Sequence, residues 1–440
     1  MKHLSSLNKY FWKYRWHFLL GFVFVVLTNY FRILSPQLTG YVVNTVVQSI
    51  KSPQVNEIDI KKSEKDYDYV VRQVISTFDE KTGNKILYAG ITLFVIAIIS
   101  GFFMFLMRQT IIVMSRHIEY DQKNEIFSHY QKLDTNFYKT HRTGDLMNRI
   151  ADDVSKVRMY TGPALMYFIN LAAVLGFSIF FMLKASPRLT FVALAPLPVL
   201  AIAIYLVNTI INKKSERIQA LLSNLTTNAQ ESYSGIRVIK SFVQEKAMMG
   251  FFKKNSEAYR DNALSLAKTE AIYFPSMALL IGLSTVITIM VGSLDVINNT
   301  DNASVGRIAE FVMYIQMLTF PVSAIGWTAS MTQRAATSQR RINEFLHKEP
   351  SIKNIELPVT SLINGNINFS NVDFIYPHTG IHALKDFSLQ VLAGEKIAIV
   401  GRTGSGKSTI AQLLLHAYEP QNGLITYDGI PLNKFQLQSL

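Results

Sequence analysis

No cysteine occurs in the 440 residues, which excludes disulfide frameworks, thiolate metal sites and cysteine nucleophiles. Charge is scarce too, at 17% of residues, and acid is the scarcer sign: 31 Asp and Glu stand against 44 Lys and Arg, for a formal net charge of +13. Also missing are a basic low-complexity tail and any aromatic-basic module of an RNA-binding kind, so the positive excess is not read as a nucleic-acid footprint. The basic residues instead sit beside hydrophobic runs, as they do on the cytoplasmic side of a bilayer. What the chain has in abundance is apolar surface, with 49% hydrophobic residues including 28 Phe and 20 Tyr and a mean hydropathy of +0.18. Such a composition is neither disordered nor fibrous, and it points to a membrane protein.

Crossing roughly 30 Å of hydrocarbon takes about twenty apolar residues. Near-continuous stretches of that length fall at 16–34, 86–107, 160–183, 189–211, 272–294 and 308–327, predicting six spans. The first run is too long for the core of a signal peptide, lacks a small-residue cleavage site and is followed by Arg32 and Pro36, so it reads as an uncleaved helix. Ahead of it lie Lys2, Lys9, Lys13 and Arg15 with no acid, whereas the 51–85 loop carries seven basic and seven acidic residues and the loop around 295–306 carries two Asp and no base. This asymmetry places the N-terminus in the cytoplasm. The turn at 184–188, with Lys184 and Arg188, then lies outside and runs against the rule.

With that orientation the two long connections, 108–159 and 212–271, are cytoplasmic. Their periodicity, as in Ile111, Met114 and Ile118, predicts helices that continue out of the bilayer, about 35 to 40 Å at 1.5 Å per residue, before turning back near 140–145. There Thr143-Gly144-Asp145 reads as a chain reversal and N-cap for a short helix through Leu146 to Arg149. Polar residues inside the spans, Asn29, Asn170, Asn208 and Gln316, read first as interhelical hydrogen-bonding groups. Pro163, Pro196, Pro198, Pro275 and Pro321 read as ordinary kinks.

Residues 333–350 form a charged amphipathic segment that reads as a linker into a second domain. From about Ile367 the pattern turns strand-like, through INFSNVDFIY and HALKDFSLQV, with a turn at Ala393-Gly394-Glu395. The run KIAIV then leads into Gly401-Arg402-Thr403-Gly404-Ser405-Gly406-Lys407-Ser408-Thr409, which satisfies G-x-x-x-x-G-K-[ST] in the strand–turn–helix context that this motif requires. The glycines let the backbone wrap around phosphate oxygens. Lys407 suits the β- and γ-phosphates of a nucleotide such as ATP, and the Ser408 hydroxyl suits Mg²⁺, with Arg402 and Thr409 as support. Tyr376, about twenty-five residues upstream, is either a nucleobase-stacking aromatic or an ordinary half-buried strand residue.

Taken in order, six spans, long cytoplasmic helices, a linker and a P-loop resemble an ABC exporter half-transporter. THRTGDLMNRIADDVSKVR at 140–158 is similar to the first intracellular coupling segment of that family, and NAQESYSGIRVIKSFVQE at 228–245, with Glu231, Gly235 and Glu245, to the segment around the second. The resemblance implies an α-helical membrane domain over 1–330, a linker over 331–355 and the β-rich start of a P-loop α/β nucleotide-binding domain over 356–440. It further implies ATP and Mg²⁺ as cofactors, Tyr376 as the adenine-stacking aromatic, and a corner at 143–149 that docks on the nucleotide-binding domain. It also implies a second half-transporter as partner, whether identical or different, and a hydrophobic, lipid or peptide substrate. The location implied is the inner (plasma) membrane, with the N-terminus and the nucleotide-binding region cytoplasmic.

The 31 residues after Thr409 contain no LSGGQ-like signature, no Walker B Asp followed by a catalytic Glu and no switch His. Gln436 and Gln438 precede the expected place of the family's Gln loop. ATP turnover by these 440 residues alone is therefore not expected. The alternative reading is a non-hydrolysing membrane component that binds nucleotide weakly or only supplies helices.

Overall fold

The computed structural model describes residues 2–50, 67–79, 85–298, 303–355, 358–360 and 362–440. Most of the predicted outer loop, 51–66 and 80–84, lies outside the described residues, as do 299–302.

Among the described residues a 3₁₀ turn (Lys2–Leu7) and the short helix α1 (Asn8–Lys13) precede a long series of further helices. These are α2 (Arg15–Ile50), α3 (Tyr69–Asp79), α4 (Lys85–Tyr130), α5 (Thr135–Thr140), α6 (Thr143–Asn148), α7 (Val154–Met159), α8 (Leu165–Ala185), α9 (Pro187–Leu194), α10 (Pro196–Ser234), α11 (Ile236–Ser241), α12 (Glu245–Ile297) and α13 (Val305–Leu346). Strands β1 (Ile367–Ile375) and β2 (His382–Val391), helix α14 (Lys407–Leu414), strands β3 (Asn422–Tyr427) and β4 (Ile430–Pro431) and a 3₁₀ turn (Leu432–Lys434) follow.

Among the described residues five helical stretches are long and apolar enough to cross a membrane: Arg15–Val47, Ile86–Tyr130, Thr143–Ala185, Glu245–Ile297 and Val305–Leu346. They contain five of the six predicted spans. The predicted span at 189–211 is not one helix, because it is divided at Ala195 between α9 and α10. Pro196 and Pro198 supply no N–H to bridge the break, whereas Pro36, Pro275 and Pro321 sit inside continuous helices. Pro163 lies in a wide π-type turn, Tyr160–Ala164, that leads into α8. The two long connections are helical over most of their length as expected, and α4 runs unbroken for 46 residues. The charged amphipathic segment predicted from residue 333 is helical as far as Leu346, the distal part of α13 and continuous with the last predicted span.

The chain forms two compact units, one of residues 14–114 and 162–332, the other of 1–13, 115–161 and 333–440. In the first, Leu34, Leu38, Met182, Phe311, Tyr314 and Leu318 build the main apolar core, with α3 adding Val71 and Ile75 from one face. Several buried polar groups in this unit are paired with one another or with backbone carbonyls, as hydrocarbon favours, whereas Ser178 Oγ and Thr288 Oγ1 are buried without a hydrogen-bond partner among the described residues. Asn29 Nδ2 donates to Asn170 Oδ1 at 2.8 Å, Ser284 Oγ to the carbonyl of Ala193 at 2.7 Å, and the Tyr314 hydroxyl to Glu310 at 2.9 Å. Helices α2 and α13 meet backbone to backbone. A Cβ on Gly306 would lie 2.0 Å from the carbonyl oxygen of Gly40, and one on Gly40 would lie 2.8 Å from that of Gly306.

In the second unit the distal part of α13 packs along α4. Gln122 donates to Gln339 at 3.0 Å, the Tyr130 and Phe345 rings lie 4.3 Å apart, and the buried Asp153 accepts from Ser338 Oγ at 2.8 Å with Arg341 Nε 3.5 Å away. Near the N-terminus Lys9 pairs with Glu125 at 2.5 Å. Burial alone would raise the Glu125 pKa, but hydrogen bonds from Lys9 and Tyr10 outweigh it and hold the carboxyl below its usual range.

The predicted corner exists, but its cap differs. Helix α6 begins at Thr143 after Arg142, with no side-chain cap. Asp145 sits in the first turn and is drawn into ion pairs with Arg149 at 2.8 Å and Arg341 at 3.1 Å, which compete with capping. Asp134 does cap the preceding helix, accepting from the Phe137 N–H at 3.0 Å. It also accepts from the Ser351 N–H at 2.7 Å and from the Ser351 hydroxyl, which fastens the segment after α13. Burial pushes the Asp134 pKa up, but these hydrogen bonds prevail and lower it.

A carboxylate with a depressed folded pKa stabilises above its unfolded value, about 3.9, and loses that contribution as pH falls through the folded value. Asp134→Ala is therefore expected to cost about 1 kcal/mol at pH 7, with the difference from wild type shrinking below about pH 4. Thermal unfolding of both chains at pH 7 and pH 3.5 checks this; a difference that grows in acid contradicts it.

The four strands form one antiparallel sheet in the order β2-β1-β3-β4, with Phe369 opposite Leu389 on one side and Ile425 on the other. Its buried face, Phe369, Val372, Phe374, Leu384 and Ile425, packs on Ile410 and Leu413 of α14. The run KIAIV, residues 396–400, is not a strand, contrary to the sequence expectation. A strand needs a neighbour to exchange backbone hydrogen bonds, and none of the described residues pairs with it. Ile397, Ile399 and Val400 are accordingly 45%, 43% and 87% exposed.

Candidate functional site

Helix α14 starts at Lys407 because Gly406, at φ 87°, turns the backbone into it from a left-handed conformation. Gly404 has φ 86°, so two of the three predicted glycines occupy the region that favours glycine. Gly406 is also confined in space: a Cβ there would lie 2.6 Å from the carbonyl oxygen of Ala383 on β2. Gly401 has ordinary φ, and its missing Cβ leaves room for Ser405 Oγ, which a Cβ would approach to 2.6 Å.

Lys407 folds back over the loop it follows. Its ammonium donates to the carbonyls of Gly401 at 2.8 Å and Arg402 at 2.7 Å, with Ser405 Oγ 3.5 Å away. The Ser405 N–H donates to the Arg402 carbonyl at 3.2 Å, closing the turn. Arg402, Thr403, Ser405 and Ser408 are exposed, while Thr409 is buried on the sheet side of α14. The predicted residues 401–409 thus form one loop and one helix start, with the cations of Arg402 and Lys407 and the hydroxyls of Thr403, Ser405 and Ser408 around the N-terminus of α14.

Tyr376 is brought to the same helix. Its hydroxyl lies 3.0 Å from Thr409 Oγ1 and donates to Gln412 Oε1 at 2.9 Å. Phe374, Tyr418 and His378 meet its ring nearly edge-on. Sequence reasoning named Tyr376 and Thr409 but missed Gln412; the available signal was its i+3 spacing from Thr409 on an eight-residue helix. The family-suggested Glu231, Gly235 and Glu245 sit elsewhere, around α11. The Gly235 N–H donates to the Glu231 carbonyl at 2.8 Å, and Glu245 pairs with Lys240 at 3.0 Å.

These residues fit a nucleotide phosphate chain with a divalent cation. The glycines leave a cradle that a Cβ would fill or strain, and the exposed donors are positive or neutral. Among the described residues no cluster of three or more His, Asp or Glu could hold a metal by itself, so a cation here would rely on Ser408 and on the phosphate oxygens.

Comparison with protein families decides the lineage: the model of the ABC transporter transmembrane region matches residues 18–322, and the ABC transporter model, which describes the nucleotide-binding part, matches 384–440. The chain belongs to the ABC transporter family. It is 33% identical over 326 residues to the "Probable multidrug resistance ABC transporter ATP-binding/permease protein YheI" of Bacillus subtilis (strain 168), covering 72% of this chain and 54% of that protein. The Multidrug resistance-like ATP-binding protein MdlA of Escherichia coli (strain K12) is 28% identical over 360 residues, 81% of this chain and 60% of the relative. The ATP-dependent lipid A-core flippase of Pseudomonas syringae pv. tomato (strain ATCC BAA-871 / DC3000) is 28% identical over 329 residues, 74% and 54% respectively. The chain spans a little over half the length of the curated relatives it matches. As an ABC transporter chain it joins a helical transmembrane region to the antiparallel sheet that opens the nucleotide-binding domain. The second match includes the P-loop at 401–409 but begins after Tyr376.

Proposed function

We propose that this ABC transporter chain is part of an ATP-driven exporter subunit, in which nucleotide held at 401–409 biases a membrane cavity between inward- and outward-facing states. In this reading residues 1–330 form the membrane domain, 331–355 the linker and 356–440 the start of the nucleotide-binding domain, with the N-terminus and the P-loop cytoplasmic at the inner membrane. The partner is a second half-transporter. The substrate is a lipid or hydrophobic molecule, by analogy with the multidrug and lipid A-core names of the relatives. The observation that carries the proposal is the loop geometry: Gly404 and Gly406 in left-handed conformations beside the Lys407 ammonium at a helix N-terminus.

Lys407 would release its two carbonyls to meet the β- and γ-phosphates. Gly401, Gly404 and Gly406 would admit the phosphates close to the backbone, and Tyr376 would offer a ring to the adenine. Arg402, Thr403, Ser405 and Thr409 shape the loop. Bound Mg²⁺ would neutralise phosphate charge, and Ser408 would present its hydroxyl to it. Asp145 and Arg341, joined on the corner after α5, would pass movement between the cytoplasmic helices and α13.

Titration calorimetry of MgATP into the detergent-purified 440-residue chain tests the binding step. Lys407→Ala is expected to weaken affinity at least about tenfold, and Ser408→Ala to weaken MgATP binding but not binding of Mg-free ATP. Absence of wild-type binding would favour the alternative, a chain that only supplies helices.

A further inference from the structure

We propose that Gln412 is a positioning residue for nucleobase recognition, acting through the Tyr376 hydroxyl; this rests on the reading of the P-loop as an ATP site. A phenol has one proton to give, and here it goes to Gln412 Oε1 at 2.9 Å. The Thr409 hydroxyl, 3.0 Å away, therefore donates to the phenol oxygen. Thr409 is 4% exposed, so this contact is sheltered from competing water.

Around the ring, Phe374 lies at 4.9 Å and 78°, Tyr418 at 5.5 Å and 87°, and His378 at 5.5 Å and 72°. These edge-on contacts fill space without setting the rotation of the ring about its own long axis by any directional bond. The two hydrogen bonds anchor the far end of the side chain and leave the ring little freedom to lose when a base stacks on it, the usual gain from preorganisation. They also place both ends of the nucleotide under one element. Gln412 and Thr409 stand on α14, whose first two residues are Lys407 and Ser408, so the helix that grips phosphate also sets the reach to the base.

The test compares MgATP with Mg-tripolyphosphate, which has the phosphates and no base, on the full chain in detergent. Gln412→Met is expected to weaken MgATP about fivefold while leaving tripolyphosphate within about twofold. Gln412→Glu, which keeps an acceptor oxygen, is expected to restore MgATP affinity. Tyr376→Phe is expected to show the same loss as Gln412→Met, and adding Gln412→Met to Tyr376→Phe should weaken binding no further. Equal loss for both ligands, no loss at all, or an undiminished Gln412→Met effect in the Tyr376→Phe background would overturn the proposal. If wild type binds tripolyphosphate as tightly as MgATP, the phosphate site stands and the role of Gln412 falls. If it binds neither, both readings fall.

Discussion

Gly406→Ala is expected to abolish nucleotide binding and to destabilise the nucleotide-binding part by roughly 2–4 kcal/mol. Two costs coincide at this position. The φ of 87° is one that an alanine resists by about 1–2 kcal/mol, and the added methyl would sit 2.6 Å from the Ala383 carbonyl oxygen and 3.0 Å from Leu384 Cδ2. The Ala383 carbonyl is backbone within β2, between His382 and Leu384, which pair with Ile375 and Phe374 of β1, so it cannot swing aside as a side chain would. The other two glycines of the motif supply the scale. Gly404→Ala meets the same kind of φ, 86°, with nothing within 4 Å, and should cost only the backbone term of about 1–2 kcal/mol. Gly401→Ala meets only Ser405 Oγ, a movable side chain, at ordinary φ, and should cost least. Thermal unfolding and MgATP titration of the three variants must give that order; a Gly401 variant worse than the Gly406 variant would contradict the loop geometry.

The second large effect belongs to the membrane region. Gly306→Leu is expected to prevent α2 and α13 from packing, and Gly306→Ala to cost about 1–3 kcal/mol. The contact has no slack: besides the Gly40 carbonyl at 2.0 Å, a Cβ on Gly306 would meet Asn44 Cγ and Oδ1 at 2.6 Å. Asn44 is itself committed, accepting from the Gly306 N–H at 2.7 Å and donating to Ser304 Oγ at 3.1 Å. Small residues allow such close approach between membrane helices, and a side chain at either glycine separates the backbones and breaks this collar. Gly101→Ala and Gly176→Ala, where nothing lies within 4 Å, serve as neutral comparisons. Melting temperatures in detergent should fall for Gly306→Ala and stay near wild type for the other two.

The membrane region was legible wherever a property is carried by consecutive residues. Hydropathy located five spans because each needs only its own run of apolar side chains, and the pairing of Asn29 with Asn170 follows from the cost of leaving either alone in hydrocarbon. The break at Ala195 was harder to see, since the sequence around it stays apolar and Pro196 ends a helix in one setting while Pro321 is absorbed in another. The Gly40–Gly306 contact joins positions 266 residues apart, which no window along the chain can register. In the candidate site the loop was readable because its constraints are local: glycine where φ is positive, lysine where the helix begins. The N-cap read at Thr143-Gly144-Asp145 was misplaced because the helix already begins at Thr143, and Asp145 in its first turn pairs with Arg341, nearly two hundred residues later. KIAIV was misread for a related reason, because β-propensity names a candidate strand but only a neighbour makes one.

That unpaired run has a consequence for how the chain behaves outside its own fold. Val400 and the isoleucines before it expose apolar side chains in a run of high β-propensity that pairs with no strand among the described residues, the chemistry of an adhesive edge. Any polypeptide that lays a strand beside it would gain both hydrogen bonds and buried area, and another copy of the same five residues is one such sticky stranger.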